Sequence, residues 1–147
     1  KEKKMKLYIN KHDLTSSLTE IDKNNKYLNL KAKLFGGSLD EMVKKKVTIK
    51  ALSLKNIINK EKIKKIDLVK IDTEGHELQV LQGAGNFLKK GIKYLIIEFH
   101  NSNIFLNYNP VEIEKYLKKN GFILKKRFKF PFTTWEDRIY LNKKIKE

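Results

Sequence analysis

Short apolar runs of strand length alternate along this chain with stretches of helical spacing, and the pattern is sharpest in its middle. IDLVKID (Ile66 to Asp72) and YLIIEFH (Tyr94 to His100) are compact apolar runs that end in ionisable residues, and both predict strands bound for the middle of a sheet. Between them, HELQVLQGAGNFLKK predicts a helix that offers Leu78, Leu81 and Leu88 to that sheet, with interruptions at Gly83 and Gly85. VTIKALSL (Val47 to Leu54) starts with alternating β-branched residues and predicts a strand leading into a short helix over Leu54 to Asn59.

Further on, Asn109-Pro110 opens a helix: Asn109 can cap it, Pro110 suits the first helical position, and Glu112 follows three residues after the cap. Asn120-Gly121 stops it, because glycine accepts the left-handed conformation found at helix ends. FILKKRFKF and DRIYLNK predict two strands separated by PFTTWE. The opening, Lys1 to Lys46, is polar and weakly patterned. MKLYIN (Met5 to Asn10) reads as a short strand, LTSSLTEID as loop, and Gly36-Gly37 as a turn before SLDEM.

Strand, helix, strand, helix and two closing strands make the second half of an open α/β sheet. The 147 residues suffice for one domain with a sizeable core. We divide them into a loop-rich opening region (1–45) and an α/β unit (46–147). No internal repeat is visible.

In open α/β sheets, ligands bind beyond the carboxyl ends of the parallel strands. Side chains alternate along a strand, so Lys70 and Asp72 share one face, as do Tyr94, Ile96, Glu98 and His100. If the two strands are neighbours, Asp72 or Glu74 meets Glu98 and His100 at one edge. Asp72, Glu74, Glu98 and His100 are therefore the candidate catalytic residues. A purely structural reading competes: Asp72 can pair with Lys70, and Thr73 or Glu74 can favour the first turn of the next helix through its dipole. His76 reads as a surface histidine.

Other motifs fail on context. HELQV lacks the second histidine of a zinc-protease helix, and GAGN (Gly83 to Asn86) follows a helix rather than a strand, so it is no dinucleotide turn. Ser16-Ser17 has no lipase-type turn around it, and there is no P-loop.

Composition adds less than its extremes suggest. Lys and Arg number 33 against 17 Asp and Glu, a net charge of +16. The lysines are scattered among Asn and Ile, and only two arginines, Arg127 and Arg138, offer the planar fork suited to phosphates and base edges. The excess reads as surface charge and argues against nucleic acid as the partner. The absence of cysteine excludes disulfides and thiolate chemistry and suits a reducing, cytoplasmic compartment. No apolar run approaches the roughly 20 residues of a membrane span, and no signal peptide is visible.

Asp67-Leu68-Val69-Lys70-Ile71-Asp72-Thr73-Glu74-Gly75, followed by Glu77, Val80-Leu81 and Gly83-Ala84, resembles the pattern of FkbM-type methyltransferases. YLIIEFH is similar to that family's next strand, which ends in an acid, and VTIKALSLKNII to the segment before, with Ser53-Leu54-Lys55 departing from the usual acid. The resemblance implies a Rossmann-like class I methyltransferase fold, of which this chain supplies the C-terminal half with its terminal antiparallel hairpin. It also implies S-adenosylmethionine as cofactor and O-methylation of a sugar or natural-product hydroxyl, so the partner is a small-molecule or glycan acceptor. Asp72, Glu74, Glu98 and His100 would then act as base or orient the acceptor.

Acids at such strand ends bind a divalent metal in some methyltransferases of this broad fold, and oxygen ligands would suit Mg²⁺; the sequence assigns no metal ligand. The family's glycine-rich turn after the first strand and the acid after the second are absent. No cofactor-binding residue can therefore be named, and the missing N-terminal half of the domain is expected as a partner for the exposed edge of IDLVKID. The alternative is a basic, non-catalytic binding module for nucleic acid or an anionic surface on a degenerate methyltransferase scaffold.

Overall fold

The computed structural model describes residues 2–10, 16–34, 37–39, 43–101, 104–131 and 133–145. Among these residues, six strands and five helices follow one another as β1 (Lys3–Asn10), α1 (Lys26–Leu34), β2 (Val43–Ala51), α2 (Leu54–Lys60), β3 (Ile66–Ile71), α3 (Glu77–Gly83), α4 (Phe87–Gly91), β4 (Ile92–His100), α5 (Pro110–Lys119), β5 (Phe122–Lys129) and β6 (Trp135–Asn142). They form two sheets: β1 with β2, and a four-stranded sheet in the order β3-β4-β6-β5.

In the larger sheet β3 runs parallel to β4, while β6 is antiparallel to both β4 and β5. The closing strands thus form the expected antiparallel pair, and β6 inserts between β4 and β5. On one face Ile71, Leu95, Ile97, Phe99 and Tyr140 are buried with Leu81, Leu88, Ile113 and Leu117 from the helices. The expected contacts of Leu81 and Leu88 are present, and Leu78 packs at the margin of the same core. Glycine interrupts the predicted long helix as the sequence indicates: α3 ends at Gly83, and Gly85 has φ +57° before α4 begins. Asn142, fully buried, donates through Nδ2 to the carbonyls of Leu88, Lys89 and Ile92, tying the end of β6 to the α4–β4 junction.

The core face also holds charge. Glu136 is 1% exposed, and its Oε1 accepts from Arg138 Nε at 2.5 Å, while Arg138 Nη1 reaches Glu114 of α5 and its guanidinium stacks 3.9 Å from the Phe99 ring centroid. A desolvated cation needs such partners. Arg138 is therefore a structural residue of this sheet.

The described residues of region 1–45 hold more regular structure than their weak patterning suggests. β1 pairs antiparallel with β2 along its length, with Met5 opposite Ile49 and Leu7 opposite Val47, and β2 runs across the division placed between residues 45 and 46. Lys4 and Lys6 alternate with the half-buried Met5, Leu7 and Ile9, so only one face of this strand is apolar. The segment from Ser16 to Asp22, read as loop, touches both neighbours: Ser17 bridges to Tyr8 and Ile21 to Phe105. The turn at Gly36-Gly37, the start of the predicted loop and Phe132 of PFTTWE lie wholly or partly outside the described residues.

α5 has the predicted cap. The Asn109 side chain accepts from the backbone N–H of Val111 (3.0 Å) and Glu112 (3.3 Å), and Pro110 occupies the first turn. Asn109→Ala is expected to cost ~1 kcal/mol, read as a lower urea midpoint at an unchanged m-value. A midpoint equal to that of the parent would mean the cap contributes nothing.

Candidate functional site

β3 and β4 are adjacent and parallel, so their carboxyl ends open onto the same edge, and Lys70 lies level with Ile96. The face opposite the core thereby gathers Lys70, Asp72, Glu98 and His100, and β6 adds Asp137 directly across from Glu98.

Glu74 joins them through an unusual loop. It has φ +52°, a left-handed conformation that costs a non-glycine residue ~1 kcal/mol, and Gly75 follows at φ +91°. The neighbouring groups fix that shape. Glu77 is fully buried, and its Oε1 accepts from Thr73 N (3.1 Å), Thr73 Oγ1 (3.2 Å) and Gly75 N (3.1 Å). From the other side, Ser17 Oγ donates to the Glu74 carbonyl (2.5 Å) and Thr19 Oγ1 to the Gly75 carbonyl (3.0 Å). Phe105 packs against Gly75 so closely that a Cβ there would lie 2.6 Å from its Cγ. The TEGHE turn is held on every side.

His100 is 4% exposed and stands edge-on to Phe105 and Tyr108, and the Tyr108 hydroxyl accepts its backbone N–H at 3.0 Å. Its Nε2 lies 3.2 Å from Glu98 Oε1 and 3.8 Å from Glu74 Oε2, yet neither ring nitrogen has a partner in hydrogen-bond geometry. One donor atom from each of Glu74, Glu98 and His100 falls within 4.8 Å of the other two, so these three residues could hold a metal.

The environment poises these groups near neutrality. Burial, then the charges of Asp72 and Glu77, pushes the Glu74 carboxyl from 4.5 up to about 7. Burial also raises Glu98 to about 7, reinforced by Asp72, Glu74 and Asp137 and opposed by Lys70. Burial lowers His100 to about 4, against a smaller upward pull from Asp72, so the imidazole is neutral at pH 7. Carboxylates with affinities near 7 and a neutral imidazole can exchange a proton with a ligand at physiological pH.

Of the four candidates, Glu74, Glu98 and His100 come together. Asp72 stands just outside, exposed and paired with Lys70 at 2.9 Å, as the structural reading of that residue anticipated, while its charge still reaches the cluster. His76 is half-buried beside Thr19 (Oγ1 to Nδ1 3.5 Å) and is not part of the group. Sequence reasoning placed Glu77 in the family pattern without giving it a role, and missed the supporting residues Ser17, Thr19, Phe105, Tyr108 and Asp137. The position of Glu77 two residues after Gly75, at a helix start, was a usable cue to that role; the others depend on contacts distant in sequence. GAGN lies between α3 and α4, and no glycine-rich strand-to-helix turn for a cofactor occurs among the described residues. No helix among them is long and apolar enough to cross a membrane.

A mixed α/β protein with an acid–histidine cluster at the ends of adjacent parallel strands is the class that fold and site define. The chain belongs to the methyltransferase FkbM domain family, whose pattern matches residues 2–124. It is also similar to the hexuronic acid methyltransferase AglP of Haloferax volcanii, 33% identical over 73 residues that cover 50% of this chain and 28% of that protein. No solved structure matches it.

Proposed function

We propose that this chain carries the acceptor-activating part of an S-adenosylmethionine-dependent O-methyltransferase of Rossmann-like architecture, with a sugar hydroxyl as acceptor. The cluster of Glu74, Glu98 and His100 at the carboxyl ends of β3 and β4 is the observation that carries this reading. Family membership supports methyl transfer, and the similarity to a hexuronic acid methyltransferase supports a sugar. The sheet order β3-β4-β6-β5, with one antiparallel strand inserted, suits the later half of such a fold.

The cofactor would supply a methyl group activated by a sulfonium. The described residues fit the acceptor end of that reaction, since they offer carboxylates and no glycine turn for an adenosine moiety. On methyl transfer the acceptor's hydroxyl proton would pass to Glu98, whose affinity near 7 matches the working pH. Neutral His100 stands 3.2 Å from that carboxylate and adds no charge to the site at pH 7. Glu74, 3.8 Å from the same nitrogen, orients the acceptor. The test is transfer of a labelled methyl group from S-adenosylmethionine to a panel of hexuronic acids and neutral sugars by the protein carrying this chain. Label on an acceptor oxygen is the expected result; label on none of them would sink the reading.

A further inference from the structure

We propose that Glu74, Glu98 and His100 form a binding site for one divalent cation of the Mn²⁺ type, in contact with the acceptor of the proposed transfer. Three observations carry this inference. The first is spacing. Cations of this kind hold oxygen and nitrogen ligands at about 2.0–2.2 Å, which sets neighbouring donors about 3 Å apart. His100 Nε2 already lies 3.2 Å from one carboxylate and 3.8 Å from the other, with all three donors inside 4.8 Å.

The second is an unmet need. A buried imidazole ordinarily finds a hydrogen-bond partner, yet His100 is 4% exposed and both its ring nitrogens lack one. Its Nε2 lies 3.2 Å and 3.8 Å from two carboxylate oxygens without hydrogen-bond geometry to either, and a cation between the three donors would satisfy all of them. Asp137 Oδ1, across the strand pair, is likewise buried and unpartnered.

The third is charge. Asp72, Glu74, Glu98 and Asp137 converge here in a chain of net charge +16, and Lys70 is the cation that pairs with one of them. A sugar acid approaching this edge would meet repulsion unless a cation intervened.

The donor set also selects the metal. Carboxylates suit Mg²⁺, Ca²⁺ and Mn²⁺, whereas imidazole suits later transition ions. Two carboxylates with one imidazole favour Mn²⁺ over the Mg²⁺ that oxygen ligation alone would suggest. Three protein donors leave coordination positions for acceptor oxygens.

The acceptor's role rests on the function proposed above; the cation site does not. Each residue offers the cation one donor atom, so the second carboxylate oxygen of Glu98 stays available to the acceptor's proton. The experiment titrates MnCl₂ into the protein and follows loss of the free-ion electron spin resonance signal, then looks for ¹⁴N coupling to the bound ion by pulsed methods. Expected are one Mn²⁺ per chain with nitrogen coupling, and affinity at least tenfold weaker in Glu74→Gln and in Glu98→Gln. His100→Gln should lose the coupling, and Asp67→Asn, an exposed carboxylate at the far end of β3, should bind as the parent does. Circular dichroism establishes that each variant is folded.

Absence of binding, binding without nitrogen coupling, or undiminished affinity in folded Glu98→Gln would each overturn the site. Methyl transfer that survives chelation yet disappears in Glu98→Gln would overturn the cation and leave the proton-acceptor reading standing. Bound, nitrogen-coupled Mn²⁺ without methyl transfer would uphold the site and remove that reading.

Discussion

Glu98→Gln should cut methyl transfer by about 10²–10⁴ and at the same time make the metal-free protein more stable above pH 7. The two effects share one cause. Folding carries Glu98 out of water and sets it near Asp72, Glu74 and Asp137, which raises its affinity for a proton from 4.5 to about 7. A group with a raised folded-state pKa contributes stability that is present below its unfolded value and is lost as pH rises through its folded value. Wild-type protein should therefore lose the Glu98 contribution between about pH 4.5 and 7, and Glu74 should act in the same direction over the same window. His100 opposes them: its folded value is depressed to about 4, so its contribution is present above 6.5 and lost as pH falls through 4.

Glutamine keeps the shape of Glu98 and removes its ionisation. The variant and the parent should be about equally stable at pH 4.5. The difference should then grow to ~1–3 kcal/mol in favour of the variant by pH 8, since each tenfold change in proton affinity corresponds to about 1.4 kcal/mol and partial exposure reduces the effect. Urea unfolding in the presence of a chelator, repeated from pH 4.5 to 8, measures this directly. Turnover should fall by about 10²–10⁴, the range for loss of a positioned base. A variant no more stable than the parent at pH 8 would show that Glu98 is not held against its own charge. Retained turnover would remove it from the reaction.

Gly75→Ala should cost ~2–4 kcal/mol, the sum of a left-handed backbone that a side chain resists and a Cβ forced into Phe105. Gly75 has φ +91°, and the added carbon would meet Phe105 Cγ at 2.6 Å and Cβ at 2.8 Å. Those atoms sit at the root of the ring, so a rotamer change cannot clear them. Phe105 cannot retreat freely either, because it is bridged to Ile21 and packed edge-on against His100 and Tyr108. The clash therefore travels to the site: Glu74 on one side and His100 on the other should shift.

A double-mutant cycle separates the two causes. With Phe105→Gly in place, which removes both the ring and the Cβ, Gly75→Ala should cost only the backbone component, about 1 kcal/mol. Equal costs in both backgrounds would show that Phe105 does not press on this turn. An unchanged urea midpoint for Gly75→Ala alone would contradict the turn geometry itself.

Much of the scaffold was legible in the sequence because its signals are local. Apolar runs of strand length marked β3 and β4, Asn109-Pro110 and Asn120-Gly121 bounded α5, and glycines divided α3 from α4. Alternation along a strand, given β3 beside β4, was enough to put Asp72, Glu98 and His100 on one face. β1 was harder to read, since lysines on its exposed face dilute the apolar pattern of the other, and its pairing with β2 joins residues some forty positions apart.

The tertiary structure decided what the sequence left open. It separated Asp72, exposed and answered by Lys70, from Glu74, which a left-handed turn swings toward His100. That turn exists because Glu77, Ser17, Thr19 and Phe105 enclose it, and three of those four come from elsewhere in the chain. Burial then set the proton affinities, an effect of desolvation and converging charge that no spacing encodes. Hydrophobic and turn preferences act between neighbours in sequence and so can be read there. The chemistry of this site depends on which distant groups exclude water from it, and only the folded chain determines that.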